Sequence, residues 1–286
     1  MPKGPAIHTR RLALATLSWA LACSRPAPRV PGPNVVTIIA SEYAFGVPDT
    51  IPAGTTTLVL VNRGDELHHA SLVRLGDGKT VADFQSALEA AMKNHTPPPA
   101  WVGFVGGPNA VTPGDTVTTT QTLEPGSYVF VCWIPSADGL PHVMKGMLHS
   151  MVISAATTRA GVGAGPAADL SITLTDYDFQ LSRPLVAGTH VVQVENAGAQ
   201  AHEIVIAALP PGKTLRDFLV WERAGEKGPL PTGRWLGGVS TIDAGGQAQF
   251  TATFAPGSYL LLCFWPDARD GMPHLVHGMA KEVTVS

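Results

Sequence analysis

The chain has 286 residues, 14% of them charged, with 19 Lys and Arg against 22 Asp and Glu for a net charge of -3. Beyond the first dozen residues no cluster of Lys or Arg stands out, which leaves no basic stripe for phosphate and excludes nucleic acid as a partner. The 30 Gly, 25 Pro and only short runs of helix formers argue against a helical bundle and for an all-β body rich in turns, long enough for two domains with separate cores.

In chain order, Lys3, Arg10 and Arg11 come first, followed by an apolar stretch over residues 12–22. It is too short to span a bilayer as a mature helix, and the pattern predicts an export signal. Residues 1–34 are read as this signal and a Pro-rich tether. Cleavage after Ala22 fits the small residues Ala20 and Ala22; alternatively Ala22-Cys23 is a lipoprotein junction, with a lipid anchor on Cys23. Either outcome places the mature chain outside the cytoplasm, periplasmic or membrane-anchored.

Residues 35–39, 57–61 and 128–131 are β-branched or aromatic runs bounded by Gly and Pro, the signature of strands. A short helix is predicted over residues 80–93, with Thr80 as N-cap and Asp83 three positions on. The whole order then recurs at a period of about 130 residues. Glu42-Tyr43-Ala44-Phe45 returns as Asp176-Tyr177-Asp178-Phe179, and Asn62-Arg63-Gly64 returns as Asn196-Ala197-Gly198. Thr80 with Asp83-Phe84 returns as Thr214 with Asp217-Phe218, and Pro125-Gly126-Ser127-Tyr128 as Pro256-Gly257-Ser258-Tyr259. The duplication predicts a domain at 35–154, a small-residue linker at 155–168 and a second domain at 169–286. Each domain is expected to be a small β-sandwich or Greek-key barrel with one helical insertion.

After each Pro-Gly-Ser-Tyr turn a strand ends in cysteine, at Cys132 and Cys263, and a loop follows. The first loop carries His142 and Met147, the second His274 and Met279; His and Met are five positions apart in both. A further histidine, His68 or His202, stands six residues after Asn62 or Asn196. Because His68 and His69 are adjacent, on a strand they face opposite sides, and alignment with His202 selects His68. A thiolate and two imidazoles with a weak thioether suit an ion that alternates between Cu(I) and Cu(II), since soft sulfur favours the first and imidazole serves both.

By these residues the chain resembles the cupredoxin family of blue copper proteins over nearly all of residues 35–154 and 169–286. The resemblance implies an all-β fold of two tandem Greek-key β-sandwiches and two type 1 copper sites. The implied ligands are His68, Cys132, His142 and Met147 in the first repeat, and His202, Cys263, His274 and Met279 in the second. Two features depart from the family pattern: the Cys-to-His loops are longer than in small electron carriers, and the residue after the upstream His is His69 or Glu203 where Asn is common.

The function expected is single-electron transfer with exported redox partner proteins. Two alternatives are a two-domain copper oxidoreductase of the nitrite reductase or laccase-like kind, and a copper storage or delivery protein outside the cytoplasm. The oxidoreductases need further copper on His-x-His pairs or on a His just before the cysteine; the sequence has no His-x-His, and Val131 and Leu262 precede its two cysteines.

Overall fold

The structure, a computed structural model, describes residues 1, 2, 4, 32–94, 96–155, 165–225 and 228–286. The predicted export signal with Cys23, most of the linker and His95 lie outside the described residues. In the first repeat the elements are β1 (Asn34–Ser41), β2 (Ala44–Gly46), β3 (Thr50–Pro52), β4 (Gly54–Asn62), β5 (Ser71–Leu75), α1 (Val81–Asn94), β6 (Val102–Phe104), β7 (Thr116–Leu123), β8 (Gly126–Val131) and β9 (Leu148–Ser154). The second repeat follows with β10 (Leu170–Thr175), β11 (Asp178–Leu181), β12 (Gly188–Asn196), β13 (His202–Ala208), α2 (Leu215–Arg223), β14 (Trp235–Ile242), β15 (Gln247–Phe254), β16 (Gly257–Leu262) and β17 (Ala280–Val285).

Both helices begin where their capping residues place them. The Thr80 backbone N–H donates to Asp83 Oδ2 at 2.8 Å and the Asp83 N–H donates back to Thr80 Oγ1 at 3.1 Å. Thr214 and Asp217 form the same reciprocal pair at the start of α2, so two of the otherwise orphaned amides at each start are satisfied.

Each repeat is a sandwich of two sheets. One small sheet runs β3-β9-β8-β5-β6 and the other β14-β13-β16-β17. The opposing sheets of the two repeats are a single eight-stranded sheet, β11-β10-β12-β15-β7-β4-β1-β2. The join is antiparallel pairing of Gln249, Phe250 and Thr251 on β15 with Thr120, Thr119 and Thr118 on β7. This covers the Thr-rich edge of β7, whose Thr119 and Thr120 are buried, and removes an edge open to foreign strands. Pro31–Ser286 accordingly cluster as one compact unit.

The period-2 alternation of a strand decides which side chains reach each core. On β8, Tyr128 and Phe130 enter the first sandwich, and Cys132 continues that face; Val129 and Val131 point the other way. On β16, Tyr259, Leu261 and then Cys263 enter the second sandwich, while Leu260 and Leu262 join a cluster with Ala110 of the first repeat. These strands are buried on both sides because their outer faces are covered by the helix of their own repeat, β8 by Phe84 of α1 and β16 by Phe218 of α2. The hydroxyls of Tyr128 and Tyr259 donate to the carbonyls of Glu124 and Ala255, each at 2.9 Å, and pin the turns that launch them.

Candidate metal centres

The cysteine loops are shaped by backbone bonding that is nearly the same twice. Past Cys132 the chain turns through Gly139 (φ 82°) and reaches Pro141, after which a single 3-10 turn, His142–Lys145, begins. The His142 N–H donates to Ile134 O, Val143 N–H to Cys132 O and Met147 N–H to His142 O, at 2.8 to 3.0 Å. In the second loop His274, Leu275 and Met279 make the equivalent bonds to Trp265, Cys263 and His274. Gly146 and Gly278 close the two 3-10 turns at φ 98° and 108°, left-handed values that a side chain rarely tolerates. The extra residue in the second loop is absorbed before Pro273, which leaves the His-to-Met portion in register.

The upstream histidines are placed by the Asn-x-Gly motif. Buried Asn62 donates through Nδ2 to the carbonyls of Glu66 and Val111 and accepts from the Gly64 N–H, fixing the loop that leads to His68. Asn196 does the same with Gln200, Ile242 and Gly198 ahead of His202. A Cβ on Gly64 would lie 2.6 Å from His68 Nε2 and one on Gly198 2.6 Å from His202 Nε2, so only glycine lets the loop pass so close.

The loops and strands converge on two buried groups, His68 with Cys132 and His142, and His202 with Cys263 and His274, whose donor atoms lie within 4.8 Å of one another. In the first, His142 Nδ1 is 3.2 Å from His68 Nδ1 and 3.4 Å from Cys132 Sγ. In the second, the two Nδ1 atoms are 2.9 Å apart, and Cys263 Sγ is 4.0 Å from His202 Nδ1 and 3.5 Å from His274 Nδ1. Trigonal bonds of about 2.0–2.3 Å to a first-row metal would separate such donors by roughly 3.5–3.8 Å, so both triangles fit one ion with small adjustments. Met147 and Met279 are fully buried in the same cores, and their carbonyls accept from the N–H groups of Cys132 and Cys263.

Carboxylates hold the outer nitrogens of the upstream histidines. Glu42 Oε1 lies 3.2 Å from His68 Nε2 and also accepts from the N–H groups of Asp65 and Glu66. Asp176 Oδ1 lies 2.8 Å from His202 Nε2 and accepts from Ala199 N–H. Burial pushes the Glu42 carboxyl up, but these backbone donors outweigh it and hold it down at about 2. With Nε2–H engaged by a carboxylate, Nδ1 turns its lone pair inward, the tautomer a metal requires. Burial lowers all four inner imidazoles, His274 to about 4, with the neighbouring His202 adding to that drop. Burial also pushes the Cys132 thiol up to about 12 and raises Cys263. A thiol this dry ionises only against a cation set beside it.

The structure thus brings together six of the eight residues expected from the sequence as donor triangles, with the two methionines buried alongside. His69 points away from the first group, as alternation requires. Its Nε2 accepts from the Trp133 N–H at 2.7 Å, and Glu203 Oε1 accepts from the Phe264 N–H at 3.1 Å. Both residues that depart from the family pattern therefore tie the histidine strand to the residue after the cysteine. His277, three residues after His274, faces Asp270 at 3.2 Å. Asp267, Asp270 and His277 form a third cluster, but Asp267 is already bonded to Arg269, Tyr177 and Gln200. The Arg269 contact comes first in holding its carboxyl far below the usual range. His190 is buried away from both groups, with Asp169 at 2.6 Å and the Val186 carbonyl at 3.0 Å. Glu42 and Asp176 were not singled out as site residues from the sequence; the signal was their shared place in the repeated acid-Tyr-x-Phe motif.

Fold and site define a duplicated β-sandwich with a buried His-Cys-His group in each half. No protein-family model and no curated protein matches the chain. Among solved structures, reduced auracyanin from the photosynthetic bacterium Roseiflexus castenholzii is 26% identical over 41% of this chain and 94% of its own, with a TM-score of 0.28. Auracyanin A, a blue copper protein from Chloroflexus aurantiacus, is 20% identical over 43% of this chain and 100% of its own, at 0.30. The copper nitrite reductase from Nitrosomonas europaea is 15% identical over 88% of this chain and 93% of its own, at 0.25.

Proposed function

We propose that the chain is a copper-binding electron-transfer protein with one type 1 centre in each repeat. His68, Cys132, His142 and Met147 would hold one ion, and His202, Cys263, His274 and Met279 the other. The observation that carries this is the pair of buried His-Cys-His groups, built twice by the same capping, glycine and carboxylate devices. A copper ion there supplies a one-electron couple, Cu(I)/Cu(II), suited to thiolate and imidazole donors. The chain's own part is to orient Nδ1 of each upstream histidine through Glu42 or Asp176, to exclude water, and to fix the ligand loops by backbone bonds so that they move little. Export, by a cleaved signal or a lipid anchor on Cys23, would place the protein among exported redox partners. No described helix is long and apolar enough to cross a membrane.

The test is to load the purified chain with copper, count copper per chain and record visible and electron-spin spectra. Two coppers with intense blue absorption are expected. An additional non-blue signal would favour a copper oxidoreductase, and a colourless complex that exchanges Cu(I) quickly would favour storage or delivery.

A further inference from the structure

The two groups are joined by an unbroken run of buried side chains. Trp133, next to Cys132, donates its N–H to His69 Nε2 at 2.7 Å. His69 Nδ1 lies 3.3 Å from Asn109 Oδ1, and Asn109 Nδ2 donates to Glu203 Oε2 at 3.0 Å. Glu203 Oε1 accepts at 3.1 Å from the N–H of Phe264, next to Cys263. His69, Asn109 and Glu203 are 5%, 2% and 7% exposed. The amide of Asn109 has only one workable orientation, because Nδ2 also donates to the carbonyls of Ile204 and Val239 while Oδ1 accepts from Ala110 N–H. Since Oδ1 can only accept, Nδ1 of His69 carries the proton and Nε2 is free for Trp133.

His69 and Glu203 each perform the local tie expected of a single-domain protein, but a shorter polar residue would suffice for that. Their second polar atoms both meet Asn109, and the Asn109–Glu203 bond is the link that crosses from the first repeat to the second. The same three residues form part of the wall of a cavity of about 580 Å³, which Trp133, Ile134, Phe264 and Trp265 of the ligand loops also line. Electron tunnelling weakens more steeply across open space than along bonded and hydrogen-bonded atoms, which favours the bridge over the cavity.

We propose that the His69-Asn109-Glu203 bridge carries single electrons between the two centres, so that the chain equilibrates two electrons internally; this rests on the reading of both groups as copper centres. One electron leaves one centre and arrives at the other. No covalent bond is made or broken, and no proton crosses, because each hydrogen bond keeps its proton on Trp133 N, His69 Nδ1, Asn109 Nδ2 or Phe264 N. Asn109 touches neither ligand set and is a positioning residue for the route.

The experiment delivers electrons at the first centre alone. Met144 is 40% exposed and two residues from His142, so Met144→Cys can carry a tethered ruthenium photoreductant. In the two-copper chain, illumination is expected to bleach the blue absorption of both centres, at a rate independent of protein concentration. Adding Cys263→Ser should limit bleaching to one electron per chain. Asn109→Leu should leave copper content and absorption unchanged while slowing the second electron about tenfold. His69→Asn, which keeps a polar partner for Trp133 but is too short to reach Asn109, should slow it likewise if Asn109→Leu disturbs folding. In the metal-free chain, Asn109→Leu should speed hydrogen exchange at the Trp133 and Phe264 amides. Two blue coppers with no concentration-independent second phase, or a phase unchanged in both bridge variants, would overturn the bridge alone. A chain that takes up no copper at one repeat would overturn the copper reading before any transfer is measured.

Discussion

The pH dependence of copper binding at the first centre should come almost wholly from Cys132. In the metal-free chain burial pushes the Cys132 thiol from 9 up to about 12. Burial also lowers His68 and His142 from 6.5, so above about pH 6.5 these imidazoles hold no protons to lose. Binding at the first centre therefore releases one proton per copper, and affinity should rise about tenfold per pH unit from about pH 7 to about pH 10. A thiol at the ordinary value would flatten this line near 9. The rise from 9 to about 12 corresponds to about 4 kcal/mol that the metal-thiolate attraction must offset before any net binding appears.

The assay is Cu(I) competition against a chelator of known proton stoichiometry, run on Cys263→Ser so that only the first centre reports. Calorimetry in two buffers of different ionisation heat counts the protons. A plateau near pH 9, or release of more than one proton at neutral pH, would refute the assignment of a buried thiol beside already neutral imidazoles. The same shifts contribute to the stability profile of the metal-free chain, alongside Glu203, whose carboxyl is raised by burial to about 7. A His274 value lowered to about 4 means that the unfolded chain binds the proton first, so stability falls as pH drops from about 6.5 towards about 4. The raised Cys132 value means that stability falls as pH climbs above about 9. Thermal unfolding of the metal-free chain should show its optimum between these limits.

Three further outcomes are expected. Cys132→Ser and Cys263→Ser should each abolish the thiolate-to-copper absorption of one centre and leave the other; retention of the full spectrum in either variant would remove that cysteine as a ligand. Glu42→Ala leaves His68 Nε2 and two backbone N–H groups without their acceptor, and should weaken copper at the first centre about 10- to 100-fold; chelator competition showing parental affinity would refute the role of Glu42. Gly64→Ala puts a methyl 2.2 Å from Glu42 Oε1, so it should displace this carboxylate and reproduce the Glu42→Ala loss in the same assay, while Gly46→Ala, whose Cβ meets nothing closer than 3.6 Å, should not.

The parts legible from sequence are those that local chemistry repeats. Thr80 and Asp83 announce a helix start on their own, and β1, β4 and β8 coincide with β-branched runs whose alternation also sets the inward side of Cys132. The His-to-Met interval was visible because both copies keep it. Glu42 was not legible as a site residue, because a carboxylate 26 positions before His68 is joined to it only by β1 and β4 lying side by side. Nor did the repeats indicate that their sheets would merge. The β15 to β7 pairing uses backbone groups of Thr118, Thr119 and Thr120, and a Thr-rich strand reads equally well as a solvated edge.

His69 and Glu203 show how a departure from a family pattern can carry information. Taken one repeat at a time, each looks like an imperfect substitute for a short amide that ties two loops. Taken together across the junction they are complementary: His69 offers a ring N–H and Glu203 a carboxylate, and a carboxamide, with one acceptor and one donor group, satisfies both. Two carboxylates, or two imidazoles of the same tautomer, would not do this, since Asn109 accepts on the His69 side and donates on the Glu203 side. The asymmetry between the repeats is therefore what this direct polar connection between the two groups uses. Asn109, without a partner of like kind in the second repeat, is the residue through which that asymmetry is expressed.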